Sequence, residues 1–173
     1  MKQLTIVRHA KSSWKDPGLA DHDRPLNKRG ERDAPVMGDR LAARGYRPQL
    51  VISSSANRAL TTAMAIADAV GYPANEIVVD ERIYGIGVDR LITLVQEVED
   101  TVDNVMVFGH NPTMTEIIGH LSSVPLDNLP TCGVARLVFG FDTWAGLGDE
   151  LAVKVDIDYP KKGQREITKP DGA

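Results

Sequence analysis

A chain of 173 residues, 42% hydrophobic and 25% charged, has the composition of one globular domain, and folding buries about 70% of the surface that an unfolded chain of this size exposes. No apolar run approaches the ~20 residues needed to span a bilayer, and Met1-Lys2-Gln3-Leu4 carries no signal-peptide core. A single cysteine, Cys132, excludes an internal disulfide and a cysteine-rich zinc site, and a net charge of −4 argues against general nucleic-acid binding.

The expectation is therefore a cytoplasmic, monomeric protein that engages neither membrane nor nucleic acid. Its charge is uneven. Residues 8–32 hold seven Lys/Arg and four acids, a local +3, which leaves −7 for the rest of the chain. A basic island on an acidic protein fits a local anionic ligand, and a solvated charged loop fits the same count.

Leu4–Val7 reads as a buried strand, β-branched and uncharged. Arg8 and His9 follow it directly. Asn27 is placed to cap a helix that runs to about Arg44, with Gly45 as its left-handed terminator and Pro35 as an internal kink or break. Leu50–Ser53 predicts a second strand. Ser55 then caps a helix with Leu60, Ala63, Met64, Ala67 and Val70 on one face, ended by Gly71. Glu76–Val79 reads as a third strand, and Asp89 as the cap of a helix carrying Leu91, Leu94, Val95 and Val98 at i, i+3, i+4, i+7. Asn104–Gly109 is the fourth strand, and Asn111-Pro112 opens a helix to about Leu121. Val134–Phe141 and Leu151–Ile157 flank Asp142–Glu150 as a hairpin. From Tyr159 the chain is polar and basic, and a poorly ordered tail over 159–173 is expected after a domain spanning 1–158.

Strands alternating with helices imply a three-layer α/β/α sandwich around a mostly parallel sheet, with an antiparallel C-terminal portion. Parallel strands present their carboxyl ends on one edge, where open α/β sheets bind ligands. The first strand delivers Arg8 and His9 to that edge, the second Arg58, the third Asp80-Glu81-Arg82, and the fourth His110. Phosphoryl transfer suits this set. Arg8 and Arg58 offer permanently charged forks to the equatorial oxygens. Helix N-termini after Ser55 and Asn111 add backbone donors. A neutral His9 is a candidate nucleophile at phosphorus, and Glu81 a candidate to protonate the leaving group and then deprotonate water. So much fixed positive charge calls for no metal and no other cofactor.

Leu4-Thr5-Ile6-Val7-Arg8-His9-Ala10, Ser53–Ala63 around Arg58, Asp80–Gly85 and Val107-Phe108-Gly109-His110-Asn111 resemble, in order, the motifs of the histidine phosphatase (phosphoglycerate mutase-like) superfamily. The resemblance covers roughly residues 3 to 141 and implies a phosphoglycerate mutase-like fold. It makes His9 the phosphorylated nucleophile, with Arg8, Arg58 and His110 holding the phosphoryl group and Glu81 as proton donor. It also makes Ser12 and Asn111 candidate substrate-binding residues. Ser12 and Trp14 match the mutase pattern, whereas Ala10, Lys11 and Lys15 depart from it. Arg24-Pro25-Leu26-Asn27-Lys28-Arg29-Gly30 instead resembles the small SixA-type phosphohistidine phosphatases. Their implied substrate is a phosphohistidine domain of a protein partner. A broad small-phosphomonoester phosphatase, or a non-catalytic phosphoprotein-binding module, is the alternative.

Each residue also has a plain structural reading. His9 alone fits a satisfied strand-end histidine, Arg58 a solvent-facing helix residue, and Glu81 a turn carboxylate paired with Arg82. His22 reads as a solvated loop residue and His120 as a helix-surface one. Trp14 fits either a substrate grip or loop packing. Other phosphate chemistries lack their parts: no G-x-x-x-x-G-K-[ST] occurs, and Cys132 is followed six positions later by Val138 rather than arginine. Asp156 and Asp158 read as alternating side chains of an edge strand. Four histidines without i, i+4 spacing make no zinc site.

Overall fold

In the computed structural model, which describes residues 1–162, six strands join into one sheet: β1 (Lys2–Arg8), β2 (Leu50–Ser53), β3 (Val78–Val79), β4 (Asn104–Gly109), β5 (Val134–Phe139) and β6 (Lys154–Asp158). Their spatial order is β3-β2-β4-β1-β5-β6. The β1–β4, β4–β2 and β2–β3 pairs are parallel, and β5 runs antiparallel to both β1 and β6. The expected mostly parallel sheet with an antiparallel C-terminal portion is the observed one.

Four helices cover the two faces: α1 (Lys28–Ala43), α2 (Asn57–Val70), α3 (Val88–Gln96) and α4 (Thr113–Leu121). Strand side chains alternate between faces. Val7, Val51, Met106 and Phe108 therefore meet Met37, Leu41, Ala63 and Ile66 of α1 and α2. Leu4, Ile6, Val105 and Val107 meet Leu91, Val95, Met114 and Ile117 of α3 and α4. Each face closes its own core, which gives the three layers.

Four local expectations need correction. Pro35 sits inside α1 without ending it. Pro35 and Glu31, the residue four positions back, are both exposed, so the carbonyl that loses its amide partner can be hydrated. Ser55 does not cap α2. The helix starts two residues later behind Ala56, whose amide donates to Ser54 Oγ at 3.2 Å. Asp89 does not cap α3. Gly87 does, accepting from the Leu91 amide at 3.0 Å, and Asp89 lies in the first turn, where its charge suits the helix dipole. The third strand shrinks to two exposed residues, because a short helical turn over Ala74–Glu76 removes Glu76 from it.

Asn27 caps α1 as expected, accepting from the Gly30 amide at 2.9 Å. Gly45 and Gly71 follow α1 and α2 with φ of 72° and 76°, the left-handed conformation glycine adopts freely. At the chain's far end Arg40 donates to the carbonyls of Tyr159 and Pro160 at 3.0 and 2.9 Å. The expected polar tail begins at these anchored residues, and its remainder, 163–173, lies outside the described residues. Among the described residues no helix is long and apolar enough to cross a membrane.

The topology fixes where chemistry can occur. β1 and β4 are neighbours, yet β1 leads to α1 on one face and β4 to α4 on the other. Such a divergence opens a crevice at the strands' carboxyl ends. In the β1–β4 register Arg8 stands opposite Gly109, so His9 and His110 emerge side by side.

Candidate active site

The His9 and His110 rings lie 5.2 Å apart at 53°. They form one wall of a cavity of about 190 Å³ that Arg8, Arg58, Arg24, Lys11 and Ser12 also line. A larger groove of about 740 Å³ runs past the start of α3 from Arg82 to Glu97 and shares none of these residues. The groups able to handle phosphate converge on the smaller cavity.

The tautomer of His9 follows from its neighbour. Nδ1 lies 2.7 Å from the Ala10 carbonyl oxygen, which can accept but not donate. Nδ1 therefore carries the proton, and Nε2 keeps its lone pair. Burial, followed by the charges of Arg58, Arg8 and Arg24, pushes the imidazole pKa down to about 4, against the opposing effect of the Ala10 bond. At neutral pH His9 is uncharged, as a nucleophile must be. The Ala10 amide donates to Thr62 Oγ1 at 3.0 Å, and Thr62 donates to the Arg58 carbonyl at 2.7 Å. This chain ties the loop that follows His9 to the helix carrying Arg58. Ala10 has no positive φ, so alanine sits in place of the family's glycine without strain.

His110 meets Ser54 Oγ through Nε2 at 2.8 Å. Ser54 Oγ also accepts the Ala56 amide, and its hydroxyl can donate to Nε2 in the tautomer that carries the His110 proton on Nδ1. Nδ1 is buried without a partner, and so are Arg8 Nε and Arg58 Nε. All three unpartnered groups belong to residues that line this cavity, a set of donors suited to an anion's oxygens. Burial, then the charges of His9 and Arg58, pushes the His110 pKa down to about 3.

The outer ends of the arginines are fixed elsewhere. Arg8 Nη1 donates to the Leu129 carbonyl at 2.9 Å. Arg58 donates through Nη1 to the Asp21 carbonyl at 2.7 Å and through Nη2 to Asp21 Oδ2 at 3.0 Å. Asp21 also accepts from Arg24 Nε at 3.1 Å and from the Tyr84 hydroxyl at 2.6 Å. The Tyr84 bond first, and Arg58 after it, holds the Asp21 carboxyl down to about 2. Asp21 is thus a permanent anion binding three side chains around the cavity.

The remaining predicted residues divide. Ser12 is in the wall, but its hydroxyl accepts from Arg24 Nη1 at 3.0 Å. Asn111 also lines the cavity, while its amide is spent on structure: Oδ1 accepts the Thr115 amide at 3.2 Å and Nδ2 donates to Asn128 Oδ1 at 2.9 Å. Glu81 lies on the short turn Glu81–Ile83 with an exposed side chain, outside the cavity's lining residues. Arg82 pairs with Asp80 at 2.7 Å and Glu97 at 3.2 Å, not with Glu81. His22 is not a freely solvated loop residue. Its Nε2 meets Ser55 Oγ at 2.9 Å and its ring stands edge-on to Tyr84 at 5.0 Å. His120 is exposed, as expected.

Asp21, Ser54, Thr62 and Tyr84 are site residues to which sequence reasoning gives no role. Tyr84 sits inside the Asp80–Gly85 motif and faces His110 edge-on at 5.5 Å. Cys132 donates its amide to the His9 carbonyl at 3.0 Å, but burial pushes its thiol up to about 12, so it stays protonated and inert.

Comparison with known proteins places this geometry. The model of the "Histidine phosphatase superfamily (branch 1)" matches residues 4–86. An uncharacterized protein of Mycobacterium tuberculosis is 34% identical over 166 residues, covering 90% of this chain and all of the relative. An uncharacterized chloroplastic protein of Arabidopsis thaliana is 32% identical over 151 residues, covering 83% of this chain and 69% of the relative. Among solved structures, SixA of Agrobacterium tumefaciens, assigned as a phosphohistidine phosphatase, superposes with a TM-score of 0.71 at 34% identity, over 79% of this chain and 90% of that one. With the family's motifs on the strand ends and the family's fold beneath them, this chain belongs to the histidine phosphatase superfamily.

Proposed function

We propose that the protein is a metal-independent phosphatase that works through a phosphohistidine on His9 and takes its phosphoryl group from a phosphohistidine of a protein partner. The observation that carries the reading is the fixed tautomer of His9: Nδ1 is bonded to the Ala10 carbonyl, and Nε2 is left to a cavity lined by two arginines and a second histidine.

In the first step Nε2 adds to phosphorus as the bond to the leaving group breaks, and the leaving group keeps that electron pair and takes a proton. Arg8, Arg58 and the Nδ1–H of His110 hold the three equatorial oxygens, where the transition-state charge spreads. In the second step water adds to phosphorus and the P–N bond breaks. Its electrons return to Nε2, one proton of the water goes back to the group that protonated the leaving group in the first step, and orthophosphate leaves with the remaining O–H. Glu81, exposed on the turn that leads into Tyr84, is the proposed proton carrier for both steps.

A partner-borne phosphohistidine is favoured by the small cavity, by the basic residues Lys11 and Arg24 at it, and by the likeness to SixA. The test has two parts. Aryl phosphate turnover should survive EDTA and vanish in His9→Ala, and an acid-labile phosphoryl label should appear on His9 alone. Absence of both turnover and label in the wild type would sink the reading. A kcat/KM at least tenfold higher for a phosphohistidine protein than for small phosphomonoesters, worth about 1.4 kcal/mol, supports the partner. The reverse preference makes the protein a small-molecule phosphatase.

A further inference from the structure

Trp14 is 72% exposed, the most exposed of the large hydrophobic side chains on the described surface, and the one of that group that lines the catalytic cavity. A tryptophan that packs a loop is covered by that loop. This one carries on one face the Arg24 guanidinium, whose central carbon lies 3.4 Å from the ring centre. Arg24 is itself 6% exposed and cannot drift. Its Nη1 donates to Ser12 Oγ at 3.0 Å and to the Ser13 carbonyl at 3.3 Å, and its Nε to Asp21 at 3.1 Å. The indole therefore rests on a fixed cation in the cavity wall and leaves its other surface to solvent.

The cavity's size says what meets that surface. The cavity is small, about 190 Å³, and the exposed Trp14 is one of the residues that line it. Whatever carries the phosphoryl group must emerge at the rim, where Trp14 stands.

The geometry points to Trp14 as a stacking platform for a planar aromatic ring that carries the phosphoryl group, which makes it a specificity-determining residue for ring-borne over aliphatic phosphates. Aromatic pairs gain by offset or edge-on packing beyond the area they bury, and the indole offers such a surface without having to be ordered first, because Arg24 already orients it. Two ring chemistries fit, the imidazole of a phosphohistidine and the phenyl ring of an aryl ester. Both rest on the phosphatase reading above.

The experiment compares kcat/KM of the full chain and of Trp14→Ala, Trp14→Phe and Trp14→Leu on phosphoimidazole, phenyl phosphate and trifluoroethyl phosphate. Dividing each ring substrate's value by the alkyl value cancels any general damage to the cavity. In Trp14→Ala and Trp14→Leu at least one ring-to-alkyl ratio should fall about tenfold, and Trp14→Phe should restore it to within about threefold. The ring whose ratio falls identifies the preferred source. Unchanged ratios in Trp14→Ala, or Leu restoring them as well as Phe, would overturn the platform. Failure of the phosphatase reading looks different, since the wild type would then turn over none of the three substrates.

Discussion

His9 and His110 are held neutral by the same burial that lets the cavity grip an anion, and that has a cost in acid. Their pKa values of about 4 and about 3 lie below the ordinary 6.5. Between those values and 6.5 the unfolded chain binds more protons than the folded one, so stability rises with pH across that window and is complete above it. Urea midpoints should fall steadily from pH 7 to pH 4. A His110→Gln variant, which keeps the volume and removes one titration, should show a shallower fall. An equal slope in both proteins would place the acid sensitivity elsewhere. Asp21 offers a second prediction. Its carboxylate takes one outer nitrogen of Arg58 and leaves Nε to the cavity. It therefore fixes the guanidinium rather than competing for it. Asp21→Asn should lower kcat/KM on an aryl phosphate about tenfold, the scale of one partly exposed charged hydrogen bond. A rise would show competition instead. Arg8, His9, Arg58 and His110 were legible because each follows the carboxyl end of a strand at a short, fixed distance. Asp21, Ser54 and Tyr84 were not, because their partners stand 37, 56 and 63 positions away, beyond any local pattern.

Helix α1 carries a glycine where helix propensity disfavours one, and the reason lies in the neighbouring loop. A Cβ on Gly30 would sit 2.2 Å from the Lys11 carbonyl oxygen and 3.0 Å from its amide nitrogen. Both are backbone atoms of the loop that follows His9, and the Asn27 amide donates to that same carbonyl at 2.9 Å. Gly30→Ala should therefore destabilise by about 1–3 kcal/mol, the usual cost of overpacking, and lower turnover by shifting Lys11 and Ala10. Gly119 in α4 is the control, since nothing lies within 4 Å of its Cβ position. Gly119→Ala should stabilise by up to about 1 kcal/mol from propensity alone. Equal effects in the two variants, read from urea midpoints, would remove the loop contact as the explanation. At this scale apolar spacing placed α2 and α3, and end signals placed α1 and α4, while the exact ends were less legible. Ser55 looks like a cap by type, but its hydroxyl meets His22, a partner 33 positions away. Pro35 looks like a break, and the exposed position of its turn lets α1 continue through it.

The whole molecule concentrates positive charge at one edge of an acidic body. A net −4 chain places Arg8, Arg24 and Arg58 around one cavity, and the Asp21 carboxylate binds two of them. Alternation of strands and helices made the parallel sheet legible, but not the order β3-β2-β4-β1. That order depends on which face each connection crosses, and it is what brings His9 beside His110. If this edge is a preformed anion site, orthophosphate should bind the folded chain alone and stabilise it by mass action. At about 100 times its dissociation constant the gain is about 2.7 kcal/mol, or roughly 5–10 °C in melting temperature for a domain of this size. Phosphate also stabilises proteins nonspecifically, by exclusion from their surfaces. Arg58→Ala separates the two effects: exclusion raises both proteins alike, whereas occupancy of the cradle raises the wild type and leaves the variant behind. EDTA should change neither result, and sodium chloride should reduce the specific part by screening the arginines from the incoming anion. Melting temperatures that rise in parallel for wild type and variant would mean that the cationic edge does not hold orthophosphate, and the cradle formed by Arg8, Arg58 and His110 would lose its main support.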